Sequence, residues 1–128
     1  MATRTIKGTL DTFSVDAGSE ITYLGNTTAG STGSLDIRAF RVNPSTTGDI
    51  TVTLNKTNGI TTMEIFQEDA YTAGNSPTGY KKFANIVKDG KGTGVVGVTV
   101  TDASKNYVVL LTYDGYSEIS YIGTVVVP

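Results

Sequence analysis

Apolar and polar residues alternate with a period of two along several short runs of this chain, and no other feature constrains the fold as strongly. In the clearest run, Ile50, Val52 and Leu54 alternate with Thr51 and Thr53. Successive side chains of a β-strand point to opposite faces of its sheet, so this alternation predicts strands with one buried face. Gly, Asn, Asp, Ser and Pro bound the runs, and these residues favour turns. The chain is therefore expected to fold from strands.

The alternation predicts about eight or nine short strands joined by turns. They are 10–15, 20–24, 35–42, 50–54, 60–67, 95–101, 107–113 and 118–127, with 80–87 as an edge strand or a single helical turn. Short strands at this spacing, with no convincing helix, predict an all-β fold, namely a single antiparallel β-sandwich of the jelly-roll-like kind.

Three of these runs carry more specific expectations. The runs 50–54 and 60–67 flank a turn signal and are expected to pair as a hairpin. The run 107–113 is apolar on both faces, which predicts a central strand. The last run, 118–127, is expected to be paired or covered, because an apolar strand on an open edge promotes aggregation.

The length of 128 residues is typical of one domain, so a single domain over 1–128 is expected. Residues 25–34 hold no large side chain and predict a flexible loop. Residues 1–34 then form either the first hairpin or an N-terminal arm that reaches a neighbouring subunit. The first residues lack the apolar core of a signal peptide, which favours a protein that is not exported unless a leader or an upstream domain has been removed.

From residue 35 onward the chain resembles the bacterial pre-peptidase C-terminal domain. The resemblance rests on strand and turn segments. They are 36–42 (DIRAFRV), 47–54 (TGDITVTL), 63–69 (MEIFQED), 98–100 (VTV), 106–110 (NYVVL) and 121–127 (YIGTVVV). Members of that family are small jelly-roll-like β-sandwiches appended to secreted hydrolases. The resemblance implies the same fold for residues 35–128, and a binding rather than a catalytic role.

The residue types present argue against an enzyme. The chain has no His and no Cys, which removes the commonest general base, the thiol nucleophile and the usual zinc ligands. Carboxylates could still form a glycosidase pair. Those in or beside the predicted strands alternate with apolar neighbours, as residues of a solvated sheet face do. They are Asp11, Glu20, Asp36, Glu64 and Glu118. No catalytic residue is predicted.

No cofactor is predicted, and calcium is the alternative because hard oxygen ligands are what the chain offers. The candidate calcium ligands are Asp36, Asp49, Glu68, Asp69 and Asp114. The net charge of −2 and the scattered basic residues do not favour nucleic acid. No run approaches the ~20 apolar residues of a membrane span, so no membrane partner is expected. Exposed tyrosines could form a protein- or sugar-binding surface, with Tyr71, Tyr80 and Tyr116 as the candidates.

These observations leave three hypotheses for function. The first is a structural protein of a phage virion, such as a capsid-decoration or tail-associated subunit. It would form homo-oligomers and contact a major capsid or tail protein. The alternative is a secreted or surface binding module that recognises carbohydrate or a partner domain. The third is a subunit of a filament or a surface layer. The fold cannot separate them, since sandwiches host many functions.

Overall fold

A computed structural model describes residues 1–16, 18–26, 37–70, 79–83, 86, 92–115 and 118–128. This part of the chain contains ten strands and one short 3₁₀ helix, Glu68–Ala70. The strands are β1 (Ala2–Thr9), β2 (Phe13–Val15), β3 (Ile21–Gly25), β4 (Ile37–Val42), β5 (Gly48–Asn58), β6 (Ile60–Gln67), β7 (Lys81–Phe83), β8 (Gly94–Val100), β9 (Tyr107–Tyr113) and β10 (Ser120–Val127). Among these residues, no helix has the length and apolar character needed to cross a bilayer.

The strands form two five-stranded antiparallel sheets. The A sheet has the order β2-β1-β10-β5-β8, and the B sheet has the order β3-β4-β9-β6-β7. The main core cluster takes buried side chains from both sheets, for example Ile6 and Val52 from the A sheet and Phe40 and Leu111 from the B sheet. The expected all-β antiparallel sandwich is confirmed.

Two of the specific strand expectations are confirmed. The strand β9 lies at the centre of the B sheet, between β4 and β6. The strand β10 pairs with β1 on one side and with β5 on the other, so its apolar residues do not lie on an open edge. Strands on both sides pair the backbone N–H and C=O groups along the two edges of β9 and of β10, so neither strand presents an open edge.

The hairpin expected from 50–54 and 60–67 is wrong. The strand β5 belongs to the A sheet and β6 to the B sheet, so the two do not pair. Gly59 alone separates them and has a φ of 78°. A hairpin needs a connection of at least two residues, so this single left-handed residue carries the chain from one sheet to the other.

The N-terminal residues contribute strands to both sheets, and the expected arm onto a neighbouring subunit stays a prediction. The strand β1 pairs with β10 over eight residue pairs and with β2 on its other side. The strand β3 joins the other sheet beside β4. Most of the flexible loop expected at 25–34 lies outside the described residues, from position 27 onward.

The outer face of the B sheet carries a second apolar cluster. Ala39, Phe66, Val108 and Leu110 are buried there, and Leu24, Ile37 and Tyr80 pack against them. The outer face of the A sheet instead exposes Val95 and Ile122 among threonines and lysines. The two outer faces therefore differ in accessibility, and the A sheet is the one whose outer face exposes large apolar side chains among the described residues.

Candidate binding groove

A groove of about 440 Å³ crosses the outer face of the A sheet at the end near the β1–β2 turn. Strand pairing places Lys7 opposite Ile122, and Ile122 opposite Lys56. These three residues are exposed and therefore form one row across β1, β10 and β5, with an apolar side chain between two ammonium groups. Small-molecule sites in proteins have volumes of about 300–1,000 Å³, so this groove is large enough for a ligand.

Hydroxyl groups surround this row. Thr9, Thr12, Ser14 and Ser120 line the groove together with the two lysines. The Thr9 and Thr12 hydroxyls lie 2.7 Å apart, and the Thr9 N–H donates to the Thr12 carbonyl at 3.0 Å. The turn between β1 and β2 is thus closed by its own hydrogen bonds, which hold both threonines at the groove.

A buried arginine of the B sheet supports that turn from inside. Arg38 lies on the inward face of β4 and is 6% exposed. Its Nε donates to the Leu10 carbonyl at 3.2 Å, and its Nη1 donates to the Ile37 carbonyl at 2.7 Å. Leu10 is the first residue of the β1–β2 turn, so the guanidinium fixes the segment that carries Thr9 and Thr12.

Aromatic packing holds the neighbouring edge strand in place. The Phe13 ring of β2 stacks on the Tyr23 ring with centroids 4.7 Å apart and an angle of 5° between the planes. It also lies 5.9 Å from the Phe40 ring. Each such pair adds about 1 kcal/mol beyond the area it buries. The groove wall that begins at Phe13 and includes Ser14 is therefore anchored to the B sheet.

Tyr121 lies beneath the groove and explains the glycine at position 8. Gly8 and Tyr121 are opposite each other in the β1–β10 pair, and a Cβ on Gly8 would collide with the Tyr121 hydroxyl. Burial raises the pKa of this phenol well above its usual value. Within the described residues, the hydroxyls of Tyr121 and of Thr57, its neighbour in β5, have no hydrogen-bond partner. Such buried groups normally find one, so an ordered water between the sheets is expected here.

One of the three tyrosines predicted as an interaction surface, Tyr80, lies within the described residues. It is half-buried against the apolar cluster of the B sheet, and its hydroxyl donates to Glu64 Oε2 at 2.6 Å. Tyr71 and Tyr116 lie outside the described residues. Tyr80 is not among the described residues that line the groove.

The predicted calcium ligands are spread over the molecule. Glu68 accepts from Arg41 at 2.9 Å, Asp69 from Lys105 at 2.6 Å, and Asp49 from the Thr99 hydroxyl at 2.9 Å. The Arg41 guanidinium is itself stabilised by this pair, which raises its pKa. Asp114 follows β9, and Asp36 lies outside the described residues. Across the part that the structure describes, no group of three or more carboxylates could hold a metal ion.

The predicted strand carboxylates also have separate positions. Glu20 forms an ion pair with Arg4 at 2.9 Å, which lowers the pKa of Glu20. Glu64 accepts from Tyr80, and Asp11 and Glu118 are exposed. The groove itself is lined by no Asp or Glu among the described residues.

Comparison with known proteins identifies the fold and does not identify a family. No family model matches the chain, and no curated protein matches it. The CBM35 from Cellvibrio japonicus Abf62 is similar in structure, with a TM-score of 0.51 and 12% identity over 98% of this chain and 93% of that one. A family 35 carbohydrate-binding module from Clostridium thermocellum has a TM-score of 0.42 and 13% identity, over 86% of this chain and 90% of that one. The module from Cellvibrio mixtus lichenase 5A, solved with cellotriose, has a TM-score of 0.38 and 14% identity, over 85% and 88%.

The chain therefore has the β-sandwich fold of the Cellvibrio japonicus CBM35. That module is neither a phage protein nor a pre-peptidase C-terminal domain. The first hypothesis from the sequence, a virion subunit with capsid or tail partners, gains no support from this likeness. The resemblance to the pre-peptidase domain and the expected partners remain predictions.

Proposed function

We propose that this chain is a non-catalytic module that binds carbohydrate through the groove on the A sheet. The observation that carries the proposal is the composition of the groove, an apolar side chain set among hydroxyl and ammonium groups. A sugar ring has apolar C–H faces and hydroxyls at its edge. Ile122 provides an apolar surface for the C–H face of a sugar ring. The sugar hydroxyls can exchange hydrogen bonds with the groove hydroxyls, which belong to Thr9, Thr12, Ser14 and Ser120.

Two further features support this proposal. The β1–β2 turn is held by Arg38 and by its own hydrogen bonds, so the groove is formed before a ligand arrives and less ordering entropy is lost on binding. The sandwich fold is shared with a module whose name gives carbohydrate binding as its role. A module of this type would act outside the cell, as a secreted or surface protein.

The proposal includes the absence of catalysis, for which the sequence supplies the support. Hydrolysis of a glycosidic bond needs two carboxyl groups that flank it. The described lining of the groove has hydroxyls and amines instead. We therefore expect glycans to be bound and released unchanged, and incubation followed by chromatography of the glycan tests this expectation.

The test compares two exposed apolar residues on the same face. Ile122 lies in the groove and is 45% exposed, whereas Val95 lies on β8 outside the lining and is 51% exposed. Binding of the protein to a panel of neutral and acidic polysaccharides is measured by affinity electrophoresis and calorimetry. We expect Ile122→Ala to weaken binding about three- to tenfold, through loss of the apolar contact area. Val95→Ala should leave it unchanged.

Binding of no glycan in the panel would contradict the proposal. Equal losses for Ile122→Ala and Val95→Ala would also contradict it, because the groove would then have no special part in binding. Thermal unfolding of both variants checks that each retains the fold.

A further inference from the structure

We propose that the glycan taken by this groove is acidic, with anionic groups about two strand spacings apart, an inference that rests on the proposed function. Lys7 and Lys56 stand in one row on β1 and β5, with β10 between them. Neighbouring strands are about 4.8 Å apart, so the two lysine Cα atoms are roughly 9.6 Å apart across the sheet. The row thus presents one positive group on each side of the apolar Ile122 side chain.

The irregular pairing of β5 with β10 produces this row. The register shifts between Ile122 and Gly123, where Asn55 is the extra residue on β5. Because side chains alternate along a strand, a regular β5 could not bury both Leu54 and Thr57 while exposing Lys56 beside Ile122. Leu54 and Thr57 are both buried, and Asn55 and Lys56 are both exposed. The bulge therefore turns Lys56 toward the groove.

The charge around these lysines has no compensating carboxylate in the described lining of the groove. Neither lysine forms an ion pair with another described residue. Asp16 lines a neighbouring hollow with Lys7, and its Oδ1 accepts from the Thr5 N–H at 3.0 Å. Two ammonium groups on one side of a protein with a net charge of −2 produce a local positive potential that attracts anions.

The expected ligand chemistry follows from what an ammonium group binds. Lysine donates charge-assisted hydrogen bonds to carboxylate or sulfate oxygens, and it binds neutral hydroxyls more weakly. A neutral glycan would leave both ammonium groups to water. An acidic glycan can place one anionic group at each lysine while a sugar face covers Ile122. The groove is thereby selective for acidic over neutral chains.

The test compares two double variants with the same change in net charge. Lys7→Gln/Lys56→Gln removes the groove lysines, and Lys81→Gln/Lys82→Gln removes two exposed lysines of β7 in the B sheet. All four positions are exposed, so each variant should fold as the original does. The probes are hyaluronan and polygalacturonate as carboxylated chains, heparin as a sulfated chain, xylan and mannan as neutral chains, and duplex DNA.

We expect the acidic chains to bind more tightly than the neutral ones. Each groove lysine should contribute about a fivefold gain, so the groove double variant should bind about 25-fold more weakly, while the β7 double variant should stay within about twofold. The logarithm of the affinity should fall with the logarithm of the salt concentration with a slope of about −1 to −2, because two charges are neutralised. Preference for hyaluronan and polygalacturonate over heparin would identify carboxylates as the anionic groups, and the reverse order would identify sulfates.

Four results would overturn this inference. Tighter binding of xylan or mannan, or equal losses in the two double variants, would overturn it and leave carbohydrate binding intact. Tighter, groove-dependent binding of DNA would replace the glycan with nucleic acid. Failure of every glycan to bind would overturn the proposed function as well.

Discussion

The outer faces of the two sheets differ in how deeply their apolar side chains are buried and in whether their charged side chains are paired. On the B sheet, Ala39, Phe66 and Val108 are at most 1% exposed, and the polar groups beside them are paired, as in Arg41 with Glu68 and Tyr80 with Glu64. On the A sheet, Val95 and Ile122 are about half exposed, and Lys7 and Lys56 have no ion-pair partner among the described residues.

This contrast separates residues that hold the fold from residues free to bind. Arg41 on the B sheet already has a carboxylate partner, Glu68, which an incoming anion would have to displace. Lys7 and Lys56 of the groove form no ion pair with another described residue. Under the proposed function, the sandwich is stabilised through one outer face and binds its ligand through the other.

The largest effect expected from this contrast comes from placing a carboxylate on each face. Val108→Asp puts a charge at a fully buried position of the B sheet, and we expect it to lower the free energy of unfolding by about 4 kcal/mol or more. The matched change Val95→Asp, on the exposed face of the A sheet, should cost less than about 1 kcal/mol. Urea denaturation measures both. Similar costs at the two positions would show that the two faces do not differ as described.

The strands of the B sheet were the easier part to predict from the sequence. The bounds of β6 and β9 match the predicted runs. The run of β9 is apolar except for Thr112, because this strand is buried on both faces of the sheet. The strand β1 was missed, since its inward positions are Ala2, Arg4, Ile6 and Gly8, which hold one large apolar side chain. The space beside Gly8 is filled by Tyr121 of β10. This contact joins residues far apart in the sequence, so the pattern of residues around Gly8 could not predict it.

The groove could not have been predicted from local patterns. Its residues come from positions 7–14, 56 and 120–122, and a bulge and two strand registers bring them together. Lys7 and Lys56 looked like scattered surface charges in the sequence. The sequence did contain one usable signal, since Arg38 stood among apolar residues of a strand. A buried arginine needs carbonyl or carboxylate partners, and here the partner is the turn that forms the groove wall.

A smaller effect is expected from replacing Arg38 or Arg41, two arginines of β4 whose side chains lie on opposite faces of the B sheet. Arg38→Met removes the donor to the Leu10 carbonyl, and we expect a loss of about 1–3 kcal/mol in stability, because a hydrogen bond to a charged group is lost. It should also weaken glycan binding several-fold by loosening the β1–β2 turn. Arg41→Met breaks the outward pair with Glu68, and should cost less than about 1 kcal/mol.

Calorimetric titration separates the two roles. Arg41→Met should bind glycan as the original protein does, since the pair with Glu68 lies on the B sheet away from the groove. If both variants lost stability but neither lost affinity, Arg38 would be a purely structural residue, and the turn would not depend on it for its shape.

The smallest expected effect is a loss of thermal stability at low pH, which tests the ion pairs of Glu20 and Asp69. The Arg4 guanidinium lowers the pKa of Glu20 below 4.5, and Lys105 lowers the pKa of Asp69 below 3.8. The folded state therefore binds these protons less readily than the unfolded state, so the stabilisation is present above those values and is lost as the pH falls through the folded pKa values. The melting temperature should decline as the pH is lowered from about 5 to about 3, because carboxyl groups ordinarily titrate near pH 4. Glu20→Gln and Arg4→Met should each flatten that decline, and combining them should flatten it no further, since both remove one ion pair. A full additive effect of the two changes would show that Glu20 owes its low pKa to a group other than Arg4.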